Sequence, residues 1–141
     1  MTNITRDAVE HLIHSYWNAL DRRDYATMLS LLTEDVDWTN NSHCKGRDQV
    51  AEALNRRPAN LVVRHTISNL ILSSAEGQDT AFYIINAFGH IVQEGDQTPY
   101  PATSNVVVAD GRITVVDDGH GLKIATLHST PVLVTHQVVP G

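Results

Sequence analysis

The fold is decided first by the stretch VEHLIHSYWNALD at residues 9–21. Its apolar residues recur at the spacing of one helix face, and they are Val9, Leu12, Ile13, Tyr16, Trp17 and Leu20. This spacing predicts an amphipathic helix packed on a core, with Thr5 or Asn3 as its N-cap. Asp21 continues the same face, so its carboxylate either enters the core or lies in a solvated last turn.

Downstream of this helix the apolar pattern changes from helical to alternating. Asp24 is expected to cap a second short helix, and a strand at residues 34–39 precedes a third helix at residues 47–57. Alternation after Pro58 predicts strands at residues 62–74, 80–92, 103–109, 112–116 and 123–139. Asp110-Gly111 indicates a hairpin turn, and Pro131 indicates an edge or a bulge. Helices followed by antiparallel strands predict an α+β domain with helices on one face of a curved sheet.

Composition narrows the class of protein. The 141 residues suit a single domain over residues 1–141, with 42% hydrophobic and 18% charged residues. A net charge of −6 without a Lys/Arg cluster argues against nucleic acid, and no apolar run is long enough for a membrane span. The lone Cys44 and the lack of a secretory pattern predict a cytoplasmic protein. Glycine-rich nucleotide motifs and metal-ligand spacings are absent, so no cofactor and no metal are expected.

Two histidines fall on strand faces that are otherwise apolar. By alternation His65 shares a face with Ile67, and His90 shares a face with Phe88. Each imidazole is either a core group satisfied by one hydrogen bond or part of a pocket. Two desolvated imidazoles on adjacent strands favour the pocket.

If Asp21 lies in the core, its carboxylate is a candidate hydrogen-bond partner for the His65 imidazole. A carboxylate that accepts a hydrogen bond from one ring nitrogen fixes the tautomer of the imidazole. The other nitrogen is then free to accept a proton, so His65 is a candidate general base.

The motifs of both halves resemble one family. These are YWNALDRRDY at residues 16–25, LLTEDVDW at residues 31–38, Gly46-Arg47-Asp48, and RHTISN at residues 64–69. Together they resemble the SnoaL-like branch of the NTF2-like superfamily. The resemblance implies a cone-shaped barrel, in which three N-terminal helices pack on a strongly curved antiparallel sheet around one deep apolar pocket. Isomerases, dehydratases, cyclases, hydrolases and non-catalytic binders share this fold.

Within that superfamily the site pattern is most similar to scytalone dehydratases and hexachlorocyclohexane dehydrochlorinases. Both pair an aspartate at the end of the first helix with a histidine on the first long strand, and Asp21 and His65 match these positions. The resemblance also places His90 at a second active-site histidine and Asn105 near a substrate-binding asparagine. Trp38 stands where the dehydratase has a tyrosine that helps to activate water.

Residues and resemblance together predict a cofactor-independent lyase or isomerase, dehydratase-like, acting on a small apolar substrate such as a cyclic one. His65 is the expected base, Asp21 orients it, and His90 assists. Substrate contacts are expected from Tyr16, Trp38, Phe88 and Asn105. Two alternatives stay open: a non-catalytic small-ligand binder, and polyketide-cyclase-like aldol chemistry with Asp117 or Asp118 as base.

The outer face of the sheet is expected to pair subunits. Alternation assigns four apolar residues to that face, namely Leu70, Leu72, Tyr83 and Ile85. Such a face needs cover, so a homodimer or homotrimer is expected.

Overall fold

A computed structural model describes residues 4–101 and 105–135, and it consists of three helices packed on one six-stranded curved sheet. The elements are α1 Arg6–Asp21, α2 Tyr25–Ser30, β1 Leu32–Asn40, β2 Ser42–Lys45, α3 Arg47–Asn55, β3 Leu61–Ala75, β4 Gln78–Ile91, β5 Asn105–Asp117 and β6 Leu122–Val134. In these ranges no helix is both long and apolar enough to cross a membrane.

The first two helices begin at capped termini, as their sequences predict. The Thr5 hydroxyl accepts a hydrogen bond from the Ala8 backbone N–H at the start of α1. The Asp24 carboxylate does the same for Thr27 at the start of α2. The whole apolar stripe predicted for α1 is buried. Asn3, the other predicted cap, lies outside the described residues.

The sheet has the strand order β2-β1-β6-β5-β4-β3. The β1–β6 pair is parallel and the other pairs are antiparallel, so the sheet is mixed and unclosed rather than fully antiparallel. The expectation of an all-antiparallel sheet is wrong for this pair. A short hairpin forces antiparallel pairing, but β1 and β6 are joined through most of the chain, so no turn dictates their direction.

Strand β5 runs without interruption through Asp110-Gly111, so the predicted hairpin turn there is wrong. Gly111 pairs with Tyr83 across the sheet, and a Cβ at Gly111 would lie 2.3 Å from the Tyr83 ring. The glycine therefore makes room for an aromatic ring instead of turning the chain. Pro131 does lie beside a register shift, as predicted, because Ala109 pairs with Pro131 while Val108 pairs with Leu133.

A bulge in β3 changes which side chains face the core. The pairing with β4 shifts between Ser68 and Ile71, and Asn69 has a φ of 58°. Beyond this point Leu70 and Leu72 pack against the core, and Ile71 is 64% exposed.

The predicted outer face is also wrong on β4. Tyr83 and Ile85 are buried, and the alternate residues Phe82 and Phe88 are exposed. The core-facing residues in this part of β4 are thus the odd-numbered ones. His90 has an even number, so its side chain lies on the opposite face of the sheet.

Candidate active site

A cavity of about 630 Å³ lies between the helices and the inner face of the sheet. It is lined by Trp17 and Leu20 of α1, by residues at and after the end of α3, and by inward-facing residues of the long strands. Its wall is mostly apolar, and His65 is among the few polar side chains. A cavity of this size and character suits a small organic molecule.

Asp21 is in direct contact with His65, which lines this cavity; Asp21 itself is not a lining residue. Asp21 Oδ1 lies 2.5 Å from His65 Nδ1, and Asp21 Oδ2 accepts the His65 backbone N–H at 2.7 Å. The two side chains are only 6% and 10% exposed. Because a carboxylate oxygen accepts hydrogen bonds, the ring donates from Nδ1, and in the neutral imidazole the lone pair is then on Nε2.

Local structure explains why this contact forms. β3 is an edge strand, so the N–H groups on its outer edge have no neighbouring strand to pair with. Asp21, the last residue of α1, supplies the acceptor for the His65 N–H. The Trp17 ring, one helical turn earlier, packs on the imidazole with 4.6 Å between ring centroids. Helix and strand together hold the imidazole in one orientation.

Tyr16 and Trp38 form a second buried pair. Trp38 Nε1 donates a hydrogen bond to the Tyr16 hydroxyl at 2.7 Å. Trp38 lines the cavity, whereas Tyr16 is fully buried and is not among the lining residues. Burial raises the pKa of the Tyr16 hydroxyl far above its usual range, against a smaller lowering by Trp38. Tyr16 thus remains a neutral phenol that holds the indole at the cavity wall.

The structure does not bring His90 or Phe88 to the cavity. β4 presents Ile85, Ala87 and Gly89 there, and the alternate residues Phe88 and His90 face outward. This corrects the expected shared pocket, since the apolar face that contains His90 is the outer one.

His90 instead belongs to an outer cluster. His90 Nε2 lies 3.0 Å from Asp96 Oδ2, and the imidazole stacks on Tyr100 with centroids 5.3 Å apart. The pKa of Asp96 is lowered by the Gln93 backbone N–H first and by His90 second.

The two late-strand carboxylates are not at the cavity. Asp117 and Asp118 are exposed at the β5–β6 turn, where they accept the backbone N–H groups of Gly119 and His120. Neither lines the cavity, so their position does not support a late-strand base. Asn105 begins β5, but its side chain lies outside the described part of the structure.

Sequence reasoning missed the polar groups contributed by loops. The β1–β2 turn brings Asn40, Asn41 and Ser42 to the cavity, and the segment after α3 brings Arg56 and Arg57. The sequence Arg56-Arg57-Pro58 predicts the end of a helix, but it does not indicate that the two arginines reach a cavity. In the described ranges no group of three or more His, Cys, Asp or Glu side chains is arranged to hold a metal ion.

The α+β fold, with its cavity between the helices and a curved sheet, agrees with what a sequence comparison finds. The sequence matches the SnoaL-like domain over residues 3–128. The chain therefore belongs to the SnoaL-like branch of the NTF2-like superfamily. No curated protein matches the sequence.

Solved structures similar to this one are proteins named for different functions. A candidate scytalone dehydratase from Novosphingobium aromaticivorans is 18% identical with a TM-score of 0.79, over 94% of this chain and 87% of that one. A hexachlorocyclohexane dehydrochlorinase is 19% identical with a TM-score of 0.76, over 92% and 86% of the two chains. The benzoate 1,2-dioxygenase β subunit from Burkholderia mallei is 14% identical with a TM-score of 0.74, over 94% and 93%. At these identities the likeness establishes the fold.

Proposed function

We propose that this protein is a cofactor-independent lyase or isomerase of the dehydratase type, in which His65 is the general base and Asp21 orients it. The observation that carries the proposal is the buried Asp21–His65 pair at the wall of a cavity. A carboxylate–imidazole pair at a cavity is a common arrangement for proton abstraction. The substrate is a small, largely apolar molecule, because most of the lining is apolar.

The proposed step is an elimination. His65 Nε2 removes a proton from a carbon next to a carbonyl group, and the electron pair of that C–H bond forms a new C=C bond. The hydroxyl group on the adjacent carbon leaves, and the proton on Nε2 goes to it, so the products are an enone and water. Asp21 stabilises the imidazolium between these transfers, since its carboxylate stays bonded to Nδ1.

Two of the structural neighbours support elimination over other proton-transfer reactions. One is named a dehydratase and the other a dehydrochlorinase, and both names describe loss of a small molecule from adjacent carbons. The third neighbour is a subunit of an oxygenase. Ligand binding without turnover is the competing function, since it needs the cavity but not the Asp21–His65 pair.

The test is a panel of small cyclic β-hydroxy ketones, with enone formation followed by ultraviolet absorbance. We expect His65→Ala to lose about 10²–10⁴-fold in rate relative to the unchanged protein. His43→Ala is the matched control, because His43 also bonds an aspartate, Asp37, at 2.6 Å, but it is exposed and outside the cavity.

Two results would contradict the proposal. His65→Ala retaining more than about a tenth of the rate would remove the imidazole as the base. Saturable binding of the panel compounds without enone formation would favour the binding function instead.

A further inference from the structure

The charged groups of the cavity wall have one sign. The chain has 16 acidic and 10 basic residues, yet no Asp or Glu of the described ranges lines the cavity; Asp21 contacts the lining residue His65 but is not itself a lining residue. Arg56 and Arg57 are both there. The charged side chains that reach the lining from the described residues are thus two arginines, although the chain has a net charge of −6, and this favours a ligand with negative charge.

Arg57 is held in place, whereas Arg56 is exposed. Arg57 Nη1 donates to the Tyr25 hydroxyl at 2.9 Å and to the Leu20 carbonyl oxygen at 3.4 Å. Its guanidinium carbon also lies 5.9 Å from the centre of the Tyr25 ring. These contacts fix the guanidinium plane beside the end of α1, one residue before Asp21.

The contacts of Arg57 leave one edge of its guanidinium open. Both hydrogen bonds use Nη1, and within residues 4–101 and 105–135 neither Nε nor Nη2 has a hydrogen-bond partner and no carboxylate pairs with the group. The Nε–H and Nη2–H groups form the planar fork that matches the two oxygens of a carboxylate. Arg57 lines the cavity, is held by its Nη1 contacts and has this edge without a partner in the described ranges, so it is suited to bind such a group.

We propose that the ligand of this cavity carries a carboxylate, which Arg57 binds through its Nε and Nη2 edge. The inference rests on the proposed function for the assumption that this cavity is the substrate site. Arg57 is then a specificity-determining residue, because it anchors the acid group while the apolar body of the ligand lies along the wall towards His65.

The test compares two probes that differ only in charge, a naphthalene carboxylate and the amide at the same ring position. Titration calorimetry near neutral pH measures both dissociation constants. We expect the unchanged protein to bind the carboxylate at least about tenfold more tightly than the amide. Equal affinities, or no binding of the carboxylate, would overturn the proposal.

Three variants assign the effect. Arg57→Gln should weaken carboxylate binding by about 10- to 100-fold and change amide binding by less than about twofold. Arg57→Lys keeps the charge but lacks the planar pair of N–H donors, so its carboxylate affinity should lie between those of the unchanged protein and Arg57→Gln. Arg22→Gln is the control, since it removes the same charge from an exposed residue outside the cavity lining. An equal loss in Arg22→Gln and Arg57→Gln would overturn the assignment.

Thermal unfolding of each variant separates binding from folding, because Arg57 also ties α1 to α2. If Arg57→Gln does not fold, the affinity difference between the carboxylate and the amide, measured on the unchanged protein and on Arg57→Lys, still tests the proposal. The same titration with His65→Gln separates this proposal from the function proposed above. Carboxylate binding that survives in His65→Gln, together with failure of the elimination assay, would leave Arg57 as the anchor of a binding protein.

Discussion

At the scale of single residues, the Asp21 carboxylate is bonded twice to one partner. One oxygen accepts the His65 backbone N–H and the other accepts the ring Nδ1–H. In Asp21→Asn the amide oxygen keeps the backbone bond, and the amide NH₂ group then faces Nδ1. The ring must reverse its tautomer, so that Nε2 carries the proton and cannot accept another.

We therefore expect Asp21→Asn to lose about 10²–10⁴-fold in the elimination rate while the protein stays folded. Nitrogen NMR shifts of the His65 ring report the tautomer directly and do not depend on a substrate. Asp37→Asn is the matched control, because it changes an exposed His–Asp pair in the same way. An unchanged His65 tautomer in Asp21→Asn would contradict this account.

The Tyr16 hydroxyl has a structural role that can be measured separately. Tyr16→Phe leaves the Trp38 indole N–H buried without an acceptor, which should cost about 1–3 kcal/mol in the free energy of unfolding. Urea denaturation measures this cost. In a Trp38→Phe background the same substitution should cost less, because the donor is already gone. Equal costs in both backgrounds would show that the hydrogen bond contributes nothing.

At the scale of elements, Gly111 fixes how β4 and β5 pack. An alanine there would place a methyl group 2.3 Å from the buried Tyr83 ring, so the ring or the strand must move. Overpacking of this kind typically costs about 1–3 kcal/mol, which urea denaturation of Gly111→Ala should show. A Tyr83→Leu background removes the ring and should reduce the cost. A full cost in that background would mean that the backbone, not the ring, requires glycine.

The same elements show what a sequence can and cannot predict. Helical spacing places Asp21 on the ridge of α1 that enters the core, and alternation places His65 on an apolar face of β3, but periodicity leaves both side chains open to a second interpretation. The pairing of the two positions is predicted from the family resemblance, because the contact depends on how α1 packs on β3. One extra residue in β3 near Asn69 reverses which alternate side chains face the core. His90 can be assigned to a face only when it is known which alternate residues of β4 face the core, and the sequence does not give this. Arg57 escapes prediction because its contacts with Leu20 and Tyr25 depend on how helices meet.

At the scale of the whole molecule, the sheet has an exposed apolar face, but its residues differ from those predicted from the sequence. Ile71, Phe82 and Phe88 are 64%, 44% and 37% exposed. Pairing of two or three copies through this face stays our prediction, because exposed apolar groups of this size need cover. Light scattering after size-exclusion chromatography should give a dimer or trimer mass, and Phe82→Ser should shift it towards the monomer. A monomer mass for the unchanged chain would contradict the prediction.

The position of His65 on an edge strand has one more consequence. Any edge strand can recruit a strand from another chain, because its outward N–H and C=O groups are unpaired. Asp21 occupies one of those N–H groups, and Arg6 occupies the carbonyl oxygen of Leu70 further along β3. α1 therefore covers two of the backbone groups through which another strand could pair with β3. Asp21→Ala removes both oxygens, so it leaves that N–H unpaired at the edge of the sheet and leaves the His65 imidazole without its hydrogen-bond partner, whereas Asp21→Asn keeps the edge N–H paired.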